Sequence, residues 1–135
     1  MQKAKESVWG DLIVSMMAVN NYSLEKAFAH LHGLQQNGLL EPKNLISWKS
    51  EEIETQLKEA GFNRGSFMNR QMAQRMSSLG RFLETKGIAE CESVLKSRDS
   101  STIKILLLTV NGIGERVVES FFLLRGVGES TTPQG

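Results

Sequence analysis

Cysteine, histidine and proline are scarce in this sequence, and each scarcity excludes a class of site. The 135 residues include one cysteine, Cys91, so the chain has no intramolecular disulfide and cannot supply four thiolates to an iron–sulfur cluster or a zinc ion. Its two histidines, His30 and His32, would point to different faces of a helix. We therefore expect no metal site. The two prolines, Pro42 and Pro133, interrupt no periodic run.

The net charge of the sequence is also small, and long apolar runs are absent from it. A net charge of +1 means that any contact with nucleic acid must come from a local cluster of charges. No apolar run approaches the roughly 18 residues that a membrane span needs. The first residues, MQKAKESVWGDL, lack the apolar core of a signal peptide. We therefore expect no membrane association and an intracellular location, in the cytoplasm, nucleoid or nucleus.

Hydrophobic periodicity predicts an all-α fold. Apolar residues recur at helical spacing nearly throughout, and no heptad pattern is sustained, which favours an orthogonal helical bundle over a coiled coil. We predict one domain over residues 1–126 and an exposed, flexible tail over 127–135. The predicted helices cover residues 7–20, a segment from 23, a short turn at 44–48, a segment from 50 to the glycine at 61, 66–86, 88–95, 102–110 and 115–125.

The stretch LLLTVNGIGERVVESFFLL, residues 106–124, places Gly-Ile-Gly between two apolar helices. Gly112 and Gly114 are able to adopt positive φ or to let a neighbour approach closely, and Ile113 would point into the core. The first N–H groups of the following helix have no intrahelical partner and form the positive end of its dipole. Such a turn either joins two packed helices only or also presents amides to an anion such as a DNA phosphate.

The pattern L-x-x-V-x-G-I-G-x-x-x-V at residues 107–118 resembles the helix-hairpin-helix motif. The segments LIVSMMAVNN (12–21) and LKEAGF (57–62) are similar to parts of endonuclease III-type DNA glycosylases. Over residues 8–126 the chain thus resembles the helix-hairpin-helix DNA glycosylase superfamily, in particular endonuclease III and 3-methyladenine DNA glycosylase III. The resemblance implies a six-helix barrel with a hairpin at residues 107–121.

The resemblance also implies that double-stranded DNA is the partner. In that family the hairpin grips phosphates beside a base that is flipped out of the helix. The single cysteine means that the iron–sulfur ligands of the family are missing, as they are in some of its members. We therefore expect no iron–sulfur cluster and no other cofactor, although a monovalent cation at the hairpin is compatible with the resemblance. The residues expected to bind phosphate are Asn111, Gly112, Ile113, Gly114, Arg116, Lys104 and Arg125, and those expected to make further DNA contacts are Asn20 and Asn21.

The chain departs from the family at its catalytic positions. No aspartate follows the second hairpin helix, where the family has an essential one, and Val19 stands where a glutamine is usual. Arg116 occupies the place of the catalytic lysine of bifunctional members, and arginine is a poor imine-forming nucleophile. The sequence therefore does not decide whether the chain is an enzyme.

Three functions remain open at this point. The first is a DNA-binding domain that serves base-excision repair. The second is a catalytically inactive descendant that acts as a protein-interaction or regulatory module, with a protein partner supplying the missing half of the fold. The third is a monofunctional glycosylase with Glu115 as its base, which requires a pocket that is otherwise closed.

A basic stretch with one aromatic residue, NRGSFMNRQMAQR, covers residues 63–75. Arg64, Arg70 and Arg75 could line DNA together with Phe67. The favoured interpretation is a solvated helix face with Phe67 in the core. The methionines at 68, 72 and 76 share one helix face and are predicted to be buried, as is the Cys91 thiol.

Overall fold

The computed structural model describes residues 7–19 and 22–127. This part of the chain contains helices and connecting turns and no strand, so the all-α prediction is confirmed. The nine helices in it are α1 (Val8–Met17), α2 (Leu24–Phe28), α3 (Leu31–Gln36), α4 (Pro42–Ser47), α5 (Ser50–Glu59), α6 (Ser66–Lys86), α7 (Ile88–Lys96), α8 (Ser100–Thr109) and α9 (Glu115–Arg125).

Helix α1 is the centre of the bundle. All ten of its residues are buried, and it packs against α2, α3, α6, α7 and α9. Because its sequence is apolar on nearly every side, it can be surrounded by other helices. The Ser7 side chain caps it by accepting a hydrogen bond from the Gly10 amide at 3.1 Å, as predicted. The sequence predicted one apolar face and an end near residue 20, whereas the helix is buried on all sides and ends at Met17.

Helix α6 is the longest element, at about 32 Å, and α4 and α5 pack along it. Its predicted bounds, between Gly65 and Gly87, are confirmed. Met72 and Met76 are buried as expected, whereas Met68 is only partly buried. The favoured interpretation of Phe67 was wrong. Its side chain is 69% exposed because it lies on the solvent side of the first turn of α6.

The two hairpin helices, α8 and α9, pack against each other, and α9 also packs on α1. Asp99 caps α8 by accepting a hydrogen bond from the Thr102 amide at 3.3 Å, so α8 begins two residues before its predicted start. Helix α9 ends at Gly126 in the left-handed conformation. The Val127 amide donates to the Phe122 carbonyl there, and Val127 is buried, so the predicted exposed tail does not begin at 127. The rest of that tail, 128–135, lies outside the described residues.

A partly buried ion pair joins the end of α9 to the middle of α1. Arg125 Nη1 lies 3.0 Å from Asp11 Oδ2, and the Arg125 side chain is 18% exposed. Arg98 donates hydrogen bonds to the carbonyls of Arg125 and Gly126 at 3.2 and 2.9 Å. Burial raises the pKa of Asp11, and the hydrogen bond and charge of Arg125 oppose that rise. These contacts fix the axis of α9 relative to the core.

Candidate nucleic-acid interface

Contacts on the inner side of the turn between α8 and α9 fix its conformation. Ile113 is buried, as predicted, and its amide donates to the Val110 carbonyl at 3.1 Å. The Ile113 N–H is therefore occupied and is not free to bind phosphate. Asn111 and Gly112 are exposed on the outer side, and Gly112 has a φ of +98°, which explains a glycine at this point of the turn.

The sequence suggested two reasons for glycine at this turn, positive φ and a close neighbour, and Gly114 shows neither. Its φ is −114°, and no heavy atom lies within 4 Å of the place that a Cβ would occupy. Neither positive φ nor a close neighbour therefore requires glycine here. Gly114 is the residue that precedes α9, and no side chain caps that helix. The first amides of α9, at residues 115–117, thus lack a side-chain acceptor.

Two of the three predicted basic side chains lie at this end of the hairpin. Arg116 is exposed on the first turn of α9 and has no ion pair with a described residue. Lys104 Nζ lies 3.4 Å from Glu115 Oε1, so its charge is balanced by that carboxylate. Arg125 does not join them. It lies at the opposite end of α9, about 15 Å away, in the partly buried pair with Asp11.

A different arginine, Arg75, lies at the hairpin where Arg125 was expected. The side chain of Arg75, from α6, packs over the turn, since a Cβ on Gly112 would come within 2.9 Å of Arg75 Cγ. Arg75 has no ion pair among the described residues. The absence of a side chain at Gly112 therefore lets the aliphatic part of an arginine from a distant part of the chain pack against the hairpin. Sequence reasoning placed Arg75 in a basic stretch but did not connect it with the hairpin.

The distribution of charge along the sequence does indicate that Arg75 belongs to a basic segment. Residues 60–83 hold four arginines and no aspartate or glutamate. Taking four from the sixteen basic residues leaves twelve against fifteen acidic ones, which is a net charge of −3 over the rest of the chain. The small net charge of the whole molecule hides this segregation. The basic segment includes all but the last three residues of α6, the helix that contacts the hairpin through Arg75.

Glu115 lines a groove of about 310 Å³ between α8 and α9. The other lining residues are Ser100, Ser101, Lys104, Val118, Glu119 and Phe122. The Glu115 side chain is 65% exposed and pairs with Lys104. The closed surroundings that a glycosylase base requires are therefore not present around Glu115 in the part of the chain described here.

Asn20 and Asn21 lie outside the described residues, so their predicted DNA contacts have no structural test. The residues that flank them are well fixed. The Arg64 guanidinium donates to the Val19 carbonyl at 3.2 Å and lies 4.7 Å from the centre of the Tyr22 ring. Tyr22 Oη lies 2.7 Å from His30 Nε2, and burial lowers the pKa of His30, which favours the neutral ring. Both ends of that segment are thus anchored to the bundle.

A second groove, lined by both apolar and polar side chains, lies between α6, α7 and α8. It has a volume of about 250 Å³ and is lined in part by Phe82, Val94 and Leu106. Ile105 lines it too and is 70% exposed. The other lining residues are polar: Lys86, Glu90, Thr102 and Thr109.

Within residues 7–19 and 22–127, no three histidine, cysteine, aspartate or glutamate side chains are grouped as metal ligands. None of the helices there combines the length and apolar character that crossing a bilayer requires. Cys91 is buried as predicted, and burial raises the pKa of its thiol. Comparisons with models of known protein families, with curated proteins and with solved structures found no match to this chain.

Proposed function

We propose that the chain is a DNA-binding domain related to base-excision-repair glycosylases, and that its hairpin grips duplex phosphates without reading sequence. The observation that carries this proposal is an exposed turn that Arg75 packs against and that leads into an uncapped helix with Arg116 exposed on its first turn. Amides at a helix start and two arginines are the groups that bind a phosphate. They contact no base edge, so binding would be independent of sequence.

The packing of the turn also supports a role in binding. The buried Ile113 and the hydrogen bond from its amide to Val110 hold the turn in one conformation. A phosphate would therefore meet amides that are already oriented, and little ordering entropy would be lost. The Lys104–Glu115 pair balances the one carboxylate on the first residue of α9 and so limits its repulsion of an anion. The relation to glycosylases depends on the hairpin sequence pattern.

Substitutions at Gly114 provide the test, because a side chain fits there without strain. Gly114→Asp would place a carboxylate over the first amides of α9, and aspartate is also a favourable N-cap, so the fold should be kept or slightly stabilised. We expect Gly114→Asp to bind a labelled duplex about tenfold more weakly at low salt. Gly114→Ala, which adds a methyl group and no charge, is the matched control and should bind like the native chain.

Binding is measured by fluorescence anisotropy at about 50 mM and about 200 mM salt. Arg116→Gln should reduce the slope of log affinity against log salt by about 1, the contribution of one phosphate contact. Equal affinity of the native chain, Gly114→Asp and Gly114→Ala would overturn the proposal for the hairpin. Absence of binding by every form at low salt would overturn it for DNA as a whole.

A protein-interaction module is the second candidate function. The observation that favours it is the exposed Ile105 on α8, beside a partly apolar groove that Phe82, Val94 and Leu106 help to line. A partner that covered Ile105 and this groove would remove their apolar surface from water. Lys104, Arg75 and Arg116 are not among the residues that line this groove, so the two functions would use different side chains. Loss of DNA binding in all tests would make it the leading candidate.

A further inference from the structure

The solvent-exposed side of α6 continues from the hairpin to the start of the helix. Phe67, Arg70 and Gln74 follow one another at i, i+3 and i+7 and are all exposed, so they lie on one face. Arg75 stands at the edge of that face and touches the hairpin at Gly112. Phe67 and Arg75 are eight residues apart, which is about 12 Å along the helix. We refer to these four residues as the α6 ridge.

The α6 ridge is suited to a polyanion. No acidic residue occurs between Glu59 and Glu84, so the whole segment that forms the ridge is free of carboxylates. Of the segment's other arginines, Arg81 is paired with Glu84 and with the Ile46 carbonyl, and Arg64 is held at Val19 and Tyr22. Arg70 and Arg75 have no ion pair with a described residue. Their charges are therefore available to a ligand.

Phe67 gives the ridge a second property. A phenyl ring that is 69% exposed is unfavourable in water, and the residues before and after it on the ridge side are polar. It is therefore not the edge of a larger apolar patch suited to a protein partner. Exposed aromatic rings among arginines are the groups on which unpaired bases stack, with a gain of about 1–3 kcal/mol per base.

We propose that the α6 ridge extends the phosphate contact of the hairpin and that Phe67 stacks on an unpaired base. Its distance from Arg75, about 12 Å, corresponds to three or four nucleotides along a duplex. The preferred ligand is then duplex DNA that contains an unpaired nucleotide a few positions from the clamped phosphate. This inference rests on the proposed function, because the hairpin supplies the first contact.

The test compares two DNA molecules that differ by one nucleotide. One is a fully paired duplex and the other carries a single bulged adenine, replaced by a fluorescent adenine analogue whose emission is quenched by stacking. We expect the native chain to bind the bulged duplex about tenfold more tightly and to quench the analogue. Phe67→Leu, which keeps an apolar side chain of similar size but no π-face, should bind both duplexes equally and leave the analogue unquenched.

A separate variant, Arg70→Gln, tests the contribution of charge to binding. Arg70→Gln should weaken binding to both duplexes and lower the salt slope by about 1, while quenching at saturation persists. Phe67 and Arg70 are both exposed, so neither change should affect folding, and circular dichroism serves as the check.

The outcomes separate this inference from the function on which it rests. If the native chain and Phe67→Leu bind both duplexes equally and Gly114→Asp still weakens binding, the stacking proposal is overturned and the hairpin proposal survives. If neither DNA binds but polyglutamate does, both are overturned and the ridge is a surface for an acidic protein.

Discussion

At the scale of single residues, two glycines of one motif have different roles. Gly112 adopts positive φ and lies against the Arg75 side chain, so any other residue would be strained there. Gly114 is subject to neither constraint, because its φ is negative and its Cβ position is open. The motif G-I-G indicated a turn and an inward-pointing isoleucine, and both are confirmed. It could not identify Arg75 as the neighbour, because that contact joins residues far apart in the chain.

A pH dependence follows from His30. Its Nε2 lies 2.7 Å from Tyr22 Oη, and burial lowers its pKa in the folded state because a charged ring is disfavoured there. Below an unfolded pKa of about 6.5 the unfolded chain binds more protons than the folded one, so stability is lost as pH falls. We expect the free energy of unfolding to decrease between about pH 7 and about pH 5.5, and to decrease less in His30→Gln.

The measurement is urea unfolding at several pH values. His32→Gln, on an exposed position two residues away, is the control and should follow the native curve. Both variants retain Asp11, whose raised pKa acts in the opposite sense, so the difference between curves isolates His30. Identical pH profiles for the native chain and His30→Gln would contradict this account.

At the scale of elements, the crossing of α4 and α6 depends on one glycine. Gly80 lies against the Leu45 carbonyl, and a Cβ would collide with that backbone group. The two helices therefore pack at a distance that no larger side chain allows. Nothing in the local sequence indicates this, since a glycine inside a helix normally costs stability and predicts a weak point.

Gly80→Ala is expected to destabilise the fold, although alanine has the higher helix propensity. Backbone displacement should cost about 3 kcal/mol, well above the roughly 1 kcal/mol that alanine gains in an isolated helix. Urea unfolding measures the difference. Gly114→Ala, where the added methyl group meets open space, should change stability by less than about 0.5 kcal/mol. A Gly80→Ala variant as stable as the native chain would show that the helices can separate freely.

At the scale of the whole molecule, α1 and α9 are joined by packing and by the Asp11–Arg125 pair. Removal of one partner leaves a buried charge, so Asp11→Leu and Arg125→Met should each cost about 3 kcal/mol. The double variant should cost much less than the sum, since no unpaired charge remains. In Arg125→Met the Asp11 pKa should rise further, so stability should recover as pH falls and the carboxyl group becomes neutral.

A double-mutant cycle from urea unfolding gives the coupling energy. The exposed pair Lys96–Glu92, with an Nζ–Oε2 distance of 3.0 Å, provides the comparison and should give about 0.5 kcal/mol or less. Additive effects of Asp11→Leu and Arg125→Met would show that the two charges do not interact in solution. The end of α9 would then be held by the Arg98 hydrogen bonds and by packing alone.

The sequence by itself determined the helical fold, most helix limits and the shape of the hairpin turn. These depend on contacts within a few residues, such as the Ser7 cap, the inward Ile113 and the apolar spacing of α6. It missed the exposure of Phe67, because periodicity alone does not decide which side of a helix's first turn meets solvent.

Only the tertiary structure decided which charges meet. It placed Arg75 beside Gly112 and placed Arg125, partly buried, beside Asp11, 114 residues away in the chain. Electrostatic energy depends on distance in space and on burial, and neither is encoded in local spacing. The sequence thus identified the turn, and the packing of α1, α6 and α9 determined which arginines lie near it.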